Sequence, residues 1–553
     1  MTPFATYTVL LNRFTYIEII GGYEMNNSIW LLYPPASVHE FPHMALPYLK
    51  ACLSKSGYHN VKTIDLNAPI MKQIIWSRLY RVTEYYRTKE LDVPLKNVER
   101  NFMLAKDILF DDHDRGKDEW AIAIMNAYHK MAGSNISEVC YTPSSLSDII
   151  QKHKQRYTDA ITCLLTEKVK EIALQVPDII GITIPMASQL FYAFFIGREI
   201  KRHLPNVKVV LGGSQVTLFG DIISQSEALF DAYDHMICGE GEESLYQYIK
   251  YINGTSREID VPGLVYRSNK KKIMINSSVI STDISISMPD FNDYQIEDYV
   301  YPKLPHMMNK GCYWSKCTFC SYRNNGSFVK RDVESTIENI RFLKQKHKTR
   351  FFHFIDDAIP PDVLLDFSTQ ILRRGISIKY ENYLRLDPAF STEICKKIAK
   401  SGLRSALFGL ESANLRILKL MKKGLTPSMA QKVLRNMKSS GINTIVSCMI
   451  GFPTETKAEA IETLSFLMKN KDVISQSFLV RYGLISDMKD CAETYGIYDI
   501  ETDDLVRYDD AGFVALGYAY KTYSGMTSEE IITMVKNARK KIEGLYFQDC
   551  FFS

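Results

Sequence analysis

Three cysteines fall within nine residues in the stretch Gly311-Cys312-Tyr313-Trp314-Ser315-Lys316-Cys317-Thr318-Phe319-Cys320. Thiolates this close, on a loop that starts with glycine, suit a metal or an iron–sulfur cluster better than a disulfide. On a four-iron cubane, three thiolates leave one iron open to a small molecule. Zinc is the other reading of the spacing, and it asks for a fourth Cys or His to close a tetrahedron. The nearest candidates are His306 upstream and His347 downstream.

The elements that must carry this loop follow from length and pattern. A chain of 553 residues holds two to four domains. Hydrophobic residues make up 46% and charged residues 24%, an ordinary soluble composition. A net charge of +4 is too small over this length to argue for nucleic acid or an anionic membrane as the main partner. No uncharged run approaches the roughly 20 apolar residues of a membrane span. Residues 1–24, interrupted by Arg13 and Glu18, lack a signal-peptide pattern and read as an extension ahead of the folded unit. Eleven cysteines in a chain without a secretion signal point to a reducing compartment, the cytoplasm. Eight of them (Cys52, Cys140, Cys163, Cys238, Cys395, Cys448, Cys491, Cys550) are scattered singly and read as small hydrophobes.

From residue 25 to about 254, short β-rich runs alternate with helical patterns, which predicts a parallel α/β sheet. Ile29–Tyr33 reads as a strand ending at Pro34-Pro35, and Ile179–Ile184 as a central strand buried on both faces. Ligands of such sheets bind at the carboxyl ends of the strands. Those ends carry Pro35, then Met186 and Ser188, then Gly212, Gly213 and Thr217, then Gly239, Glu240, Gly241 and Glu242. The glycines there permit close approach of a ligand to the backbone. His39 and His43 read as ordinary loop histidines. A helical insertion spans about 68–170, including Trp76–Tyr86 and Tyr157–Ile172, and the run Asp111-Asp112-His113-Asp114 inside it reads as a solvated acidic turn. Residues 255–300 are turn-rich and read as a connector.

After the cysteine loop the β/α alternation resumes over 301–485, with six units suggesting a partial (β/α) barrel that works at its C-terminal strand ends. Residues 486–553 read as a small α-rich cap with one helix over Met526–Leu545. Two cysteines there are too few for a second cubane.

The cysteine loop, with aromatic Phe319 ahead of the third cysteine, resembles the cluster loop of radical S-adenosylmethionine (SAM) enzymes. It departs from their usual spacing by one residue, because four residues rather than three separate Cys312 from Cys317, so the loop must bulge. Phe408-Gly409-Leu410-Glu411-Ser412-Ala413-Asn414, Lys422-Lys423-Gly424-Leu425-Thr426 and Gly451-Phe452-Pro453-Thr454-Glu455-Thr456 follow in the order seen in the cobalamin and methylthiotransferase branch. The Gly212-Gly213 turn followed by Thr217, and the Gly239–Glu242 turn opening a helix, resemble the Rossmann-like cobalamin-binding domain fused ahead of many radical SAM domains. The Asp-x-His-x-x-Gly signature that supplies a histidine to cobalt does not occur, which argues against histidine ligation.

The resemblance implies a [4Fe-4S] cluster on Cys312, Cys317 and Cys320, with SAM and cobalamin as further cofactors. It puts Phe319 and Gly451 near the adenine, Asp356 or Asp357 on the SAM amino group, Arg385 on its carboxylate and Glu411 on the ribose or amino end. The residues named at the strand ends of the first domain would hold cobalamin. The implied activity is a class B methyltransferase that methylates an unactivated carbon through a 5′-deoxyadenosyl radical and methylcobalamin. Its substrate would be a small molecule or peptide, and its electron donor a flavodoxin or ferredoxin. Ring contraction, cyclisation or another non-methylating rearrangement is the alternative within the family, and a zinc-binding scaffold the alternative outside it. A methylthiotransferase would be expected to carry extra cluster cysteines and a basic RNA-binding module, and neither is evident.

Overall fold

A computed structural model of the protein describes residues 27–37, 40–76, 98–110, 120–122, 124–125, 140–268, 270, 272–279, 288–320, 328–485, 492–509 and 515–543. The stretch 1–24, His39, the acidic run 111–114, Cys491 and Cys550 lie outside them, as does most of the helix expected over 76–86.

Seven strands form the first sheet: β1 (Ile29–Tyr33), β2 (Val61–Asp65), β3 (Ile179–Thr183), β4 (Lys208–Gly212), β5 (His235–Ile237), β6 (Leu264–Arg267) and β7 (Ile273–Ile275). Their order is β2-β1-β3-β4-β5-β6-β7, parallel through β5. The strand order reverses between β1 and β3, the switch point of a doubly wound fold. Alternation along β1 explains its place in the sheet. Ile29, Leu31 and Tyr33 pack with the helices Ala45–Lys55 and Gly241–Ile252, while Trp30 and Leu32 pack into the core on the other face. The stretch 255–300, read from sequence as a connector, contributes β6 and β7 to this sheet. They pair antiparallel, β6 on β5 and β7 on β6. Their short length and the turns between them hid them among connector signals.

The insertion after β2 supplies helices Asn67–Trp76, Val98–Phe110, Leu146–Lys154 and Ala160–Ala173. Asp159 caps the last of these reciprocally with Thr162, satisfying two amides that the helix leaves open.

Six parallel strands form the second sheet, in the order β15-β14-β13-β12-β11-β8: β8 (Lys303–His306), β11 (Phe351–Phe354), β12 (Lys379–Leu384), β13 (Leu403–Glu411), β14 (Asn443–Ile450) and β15 (Gln476–Arg481). Helices cover the outer face of this sheet. Phe352, Phe354, Tyr380 and Phe408 point outward into that helical layer, and Phe354, Phe367 and Tyr380 meet edge to face. The alternate residues, His353 and Glu381 among them, therefore face the lumen. A short hairpin of β9 (Asn309–Lys310) and β10 (Val329–Lys330) follows β8, and the cysteine loop is the excursion at its tip.

Beyond β15 the chain is less helical than its pattern suggests. Two short antiparallel pairs, 497–498 with 521–522 and 506–509 with 515–517, precede the single helix Ser528–Glu543. The second pair reaches back to the first unit. Leu146 N–H donates to Leu505 O at 2.8 Å, and Phe219 meets Tyr518 edge-on at 6.0 Å. Among the described residues, no helix is long and apolar enough to cross a membrane.

Candidate functional site

The cysteine loop is fixed at its base before it offers any thiol. Asp356, at the end of β11, accepts from Met308 N–H at 3.0 Å, Asn309 N–H at 2.5 Å and the Asn309 side-chain amide at 3.0 Å. The sequence offers either Asp356 or Asp357 for the SAM amino group; the oxygens of Asp356 hold the strand that leads into the loop. Burial pushes its carboxyl up to about 7, against the pull of those three amide donors. Asp357 beside it is half-buried.

The extra residue of the loop is absorbed at Ser315, which takes a left-handed φ of 44° and turns its hydroxyl back onto Cys312 O. Trp314 then reaches across to the turn between the short helix Leu415–Leu420 and the helix Pro427–Ser439, donating its indole N–H to Lys422 O at 2.8 Å. Its ring lies so close to Gly424 that a Cβ there would stand 2.1 Å from it, and Gly424 has φ +68°, so only glycine serves at that position. Thr318 N–H donates to Met421 O at 3.1 Å and its hydroxyl to Leu420 O at 3.0 Å. The loop is thereby tied to Leu420–Gly424.

Around Cys317 gathers a charged group. Lys423 pairs with Glu411 at 2.9 Å and stands 5.4 Å from the Phe319 ring. Arg385 donates to Lys423 O at 2.8 Å, and its guanidinium lies 4.2 Å over Trp314. Its Nε is buried with no partner among the described residues. Burial pushes the Cys317 thiol up, while the Lys423 and Arg385 charges pull it down. Burial, with Glu411 and Cys312 adding to it, outweighs the two cations, so the Cys317 thiol stays above its ordinary range. Among the described residues, no set of three or more His, Cys, Asp or Glu side chains is arranged to hold a single metal ion. Glu411 sits at φ +68° on a β-bulge where β13 meets β14, with the side chain of Gly409 omitted to make room for it and Lys423.

Gly451 follows β14, and the space where its Cβ would stand is taken by Ile531 of the C-terminal helix. Sequence reasoning put the adenine there. Gly451 N–H donates to Glu455 Oε2 at 2.6 Å. Burial lifts Glu455 from 4.5 to about 7, with Glu459 adding to the rise and Arg416 opposing it. Because the folded value lies above the unfolded one, the native state holds the extra proton between those two values. Stability from this group is complete below about pH 4.5 and is lost as pH rises to about 7. Glu455→Gln is expected to remove that decline, which amounts to at most about 1.4 kcal/mol per pH unit, and urea unfolding at pH 5, 6 and 7.5 measures it.

A second feature lies in the first unit. A groove of about 190 Å³ opens on the sheet between the helices Ala45–Lys55 and Gly241–Ile252, lined by Leu31, Gly181, Gly212, Gly213, Gly239 and Gly241 together with Glu242. Gly213 has φ +97°, and a Cβ on it would press on the Ile184 backbone at 2.6 Å. A Cβ on Gly212 would meet nothing closer than Ile237 O at 3.8 Å, so its bareness leaves room on the groove wall. Thr217 bridges two strand ends, accepting from Gly239 N–H at 2.9 Å. Ser188 donates to Ala36 O at 2.8 Å, and Gln189 both donates to Pro34 O and accepts from Met186 N–H. These contacts brace the turn around Pro35 at the switch point.

Glu240 and Glu242 do not stand alone on this rim. Lys310, the residue before the cysteine loop, places its Nζ 2.6 Å from Glu240 and 3.4 Å from Glu242. Sequence reasoning named both acids and missed the lysine that joins them to the loop. It also missed a buried triad in the barrel lumen. Glu381 Oε1 receives Lys303 at 2.5 Å and His353 Nδ1 at 2.6 Å, under Phe41. The available signal was a single polar residue, His353, in the otherwise aromatic run of β11.

Residues 308–467 match the radical SAM superfamily. That match runs from the start of the cysteine-loop hairpin through β11, β12, β13 and β14 to the helix that follows. Outside that match too the chain resembles known proteins. It is 28% identical over 303 residues to an uncharacterized methyltransferase of Pyrococcus horikoshii, covering 53% of this chain and 64% of that one. It is 23% identical over 372 residues to the anaerobic magnesium-protoporphyrin IX monomethyl ester cyclase of Rubrivivax gelatinosus, covering 63% and 65%. The matches thus span just under two thirds of these relatives' lengths. In fold it is similar to the radical SAM methyltransferase TsrM of Kitasatospora setae, whose structure holds cobalamin and a [4Fe-4S] cluster. That likeness has a TM-score of 0.58 at 14% identity and covers 93% of this chain and 91% of that one.

Proposed function

We propose that the protein is a cobalamin-dependent radical SAM methyltransferase that methylates an unactivated carbon of a small molecule or peptide. The observation that carries this reading is the ion pair of Lys310 with Glu240 and Glu242, which brings the glycine-lined groove and the cysteine loop side by side. The fold of TsrM and the methyltransferase name of the Pyrococcus relative support it.

Cys312, Cys317 and Cys320 would hold the [4Fe-4S] cluster, and the groove the tail of cobalamin. With SAM these cofactors supply one-electron cleavage of the sulfonium and a transferable methyl group. The chain's own residues bind and orient. Arg385, with its unpaired Nε, offers a donor for the SAM carboxylate, and Glu411, held by Lys423, an acceptor for its amino or ribose end. The insertion helices and the C-terminal segment are joined through Leu146 and Leu505, an arrangement suited to enclosing a reacting site. An external one-electron donor of flavodoxin or ferredoxin type and a reducing cytoplasmic setting complete the proposal.

The groove is tested by Gly212→Leu, whose side chain enters it without backbone strain. Wild type is expected to retain hydroxocobalamin on gel filtration, and the variant to lose at least about 10-fold in affinity while keeping its iron. Equal retention by both proteins contradicts the assignment. Product analysis separates methylation, which gives S-adenosylhomocysteine and methylated substrate, from rearrangement, which gives 5′-deoxyadenosine and an unmethylated product.

A further inference from the structure

We propose that Lys310 is a positioning residue that couples filling of the glycine-lined groove to placement of the cysteine loop. This rests on reading the groove as a corrinoid site. Glu240 and Glu242 occupy the start of the helix Gly241–Ile252, where acids are favoured by the electropositive helix end but repel each other. Lys310 Nζ stands between them and relieves that repulsion. All three side chains are only about a fifth to a quarter exposed, so solvent screens the attraction incompletely.

The same acids belong to the groove. Glu242 lines it, Gly239 and Gly241 flank them along its wall, and Tyr48, another lining residue, interacts with Glu242. An occupant that moves Glu242 or Tyr48 therefore moves the partner of Lys310. On the other side, Lys310 has little freedom to absorb the shift. Its backbone pairs with Val329 in the hairpin, Asn309 before it is clamped by Asp356, and Gly311-Cys312 follows directly. The displacement passes to the first cysteine. Coupling between two sites is reciprocal, so the state of the loop must equally alter affinity at the groove.

The experiment uses the full chain, purified without oxygen with its iron in place, and hydroxocobalamin as the probe. Two quantities are read: the Kd from absorbance titration, and the electron paramagnetic resonance spectrum of the reduced cluster with and without hydroxocobalamin. In wild type, hydroxocobalamin is expected to shift the spectrum. Lys310→Gln, which keeps length and polarity, is expected to raise the Kd by about 5–10-fold and abolish the shift. Lys310→Glu raises it further, and Lys310→Glu with Glu240→Lys restores it to within about threefold of wild type. Iron content and circular dichroism confirm that each variant is folded, and if Lys310→Glu fails to fold, Lys310→Gln decides alone. Wild-type Kd and an unchanged spectral shift in Lys310→Gln overturn the coupling while leaving the corrinoid site standing. A wild type that does not bind hydroxocobalamin overturns both.

Discussion

Cys317→Ala is expected to purify without its iron–sulfur chromophore and to lose SAM cleavage down to background, while still binding hydroxocobalamin with a Kd shifted by no more than the roughly 5–10-fold that the Lys310 coupling carries. The first two losses follow from ligand count. A cubane held by three thiolates has no spare protein ligand, and Cys317 is the most buried of the three. The retained binding follows from the fold. The groove is lined by residues of the first unit, from Leu31 to Leu245, and none of them belongs to the cysteine loop. Iron and sulfide assay, a SAM-cleavage assay and hydroxocobalamin titration on one preparation read all three. Full iron content in the variant would place the cluster elsewhere.

Lys303→Met is expected to destabilise the protein by about 3–5 kcal/mol, read as a shift in the urea unfolding midpoint. Lys303 is fully buried and Glu381 nearly so. Burial works against the Glu381 charge, and the Lys303 ammonium and the His353 hydrogen bond outweigh it, so its carboxyl stays below the usual range. Removing Lys303 leaves that buried charge with only the His353 hydrogen bond, since its Oε2 has no hydrogen-bond partner among the described residues. Replacing the whole triad with Lys303→Met, Glu381→Leu and His353→Phe removes the desolvated charges together and is expected to recover most of the loss. Equal destabilisation by the single and triple variants would mean that packing under Phe41, rather than charge, sets the cost.

What could be read from the residues was what depends on local pattern. The cysteine loop announced itself by spacing. The strands β1, β3, β11, β13 and β14 did so by apolar runs that end in Pro, Gly, Asp or Glu. The glycine turns at Gly212-Gly213 and Gly239 were legible because a bare backbone at a strand end is a local requirement. The bulge of the cysteine loop followed from one surplus residue, and it falls at Ser315. Three-residue and four-residue strands such as β6 and β7 were not legible, because they gain their stability from pairing with β5 rather than from their own composition. Side-chain roles were harder still. Asp356 sits where a SAM ligand was expected, yet its oxygens go to Met308 and Asn309. Lys310 and Lys303 find their carboxylates 68 or more residues away in sequence, a long-range pairing that no window of residues contains.

The central claim is that one chain holds a three-cysteine cubane beside a corrinoid. Anaerobic purification followed by iron, sulfide and cobalamin quantification tests it directly. Four irons, four sulfides and up to one cobalamin per chain are expected, together with reductant-dependent SAM cleavage. One tightly bound zinc per chain, with no sulfide and no affinity for hydroxocobalamin, would contradict it.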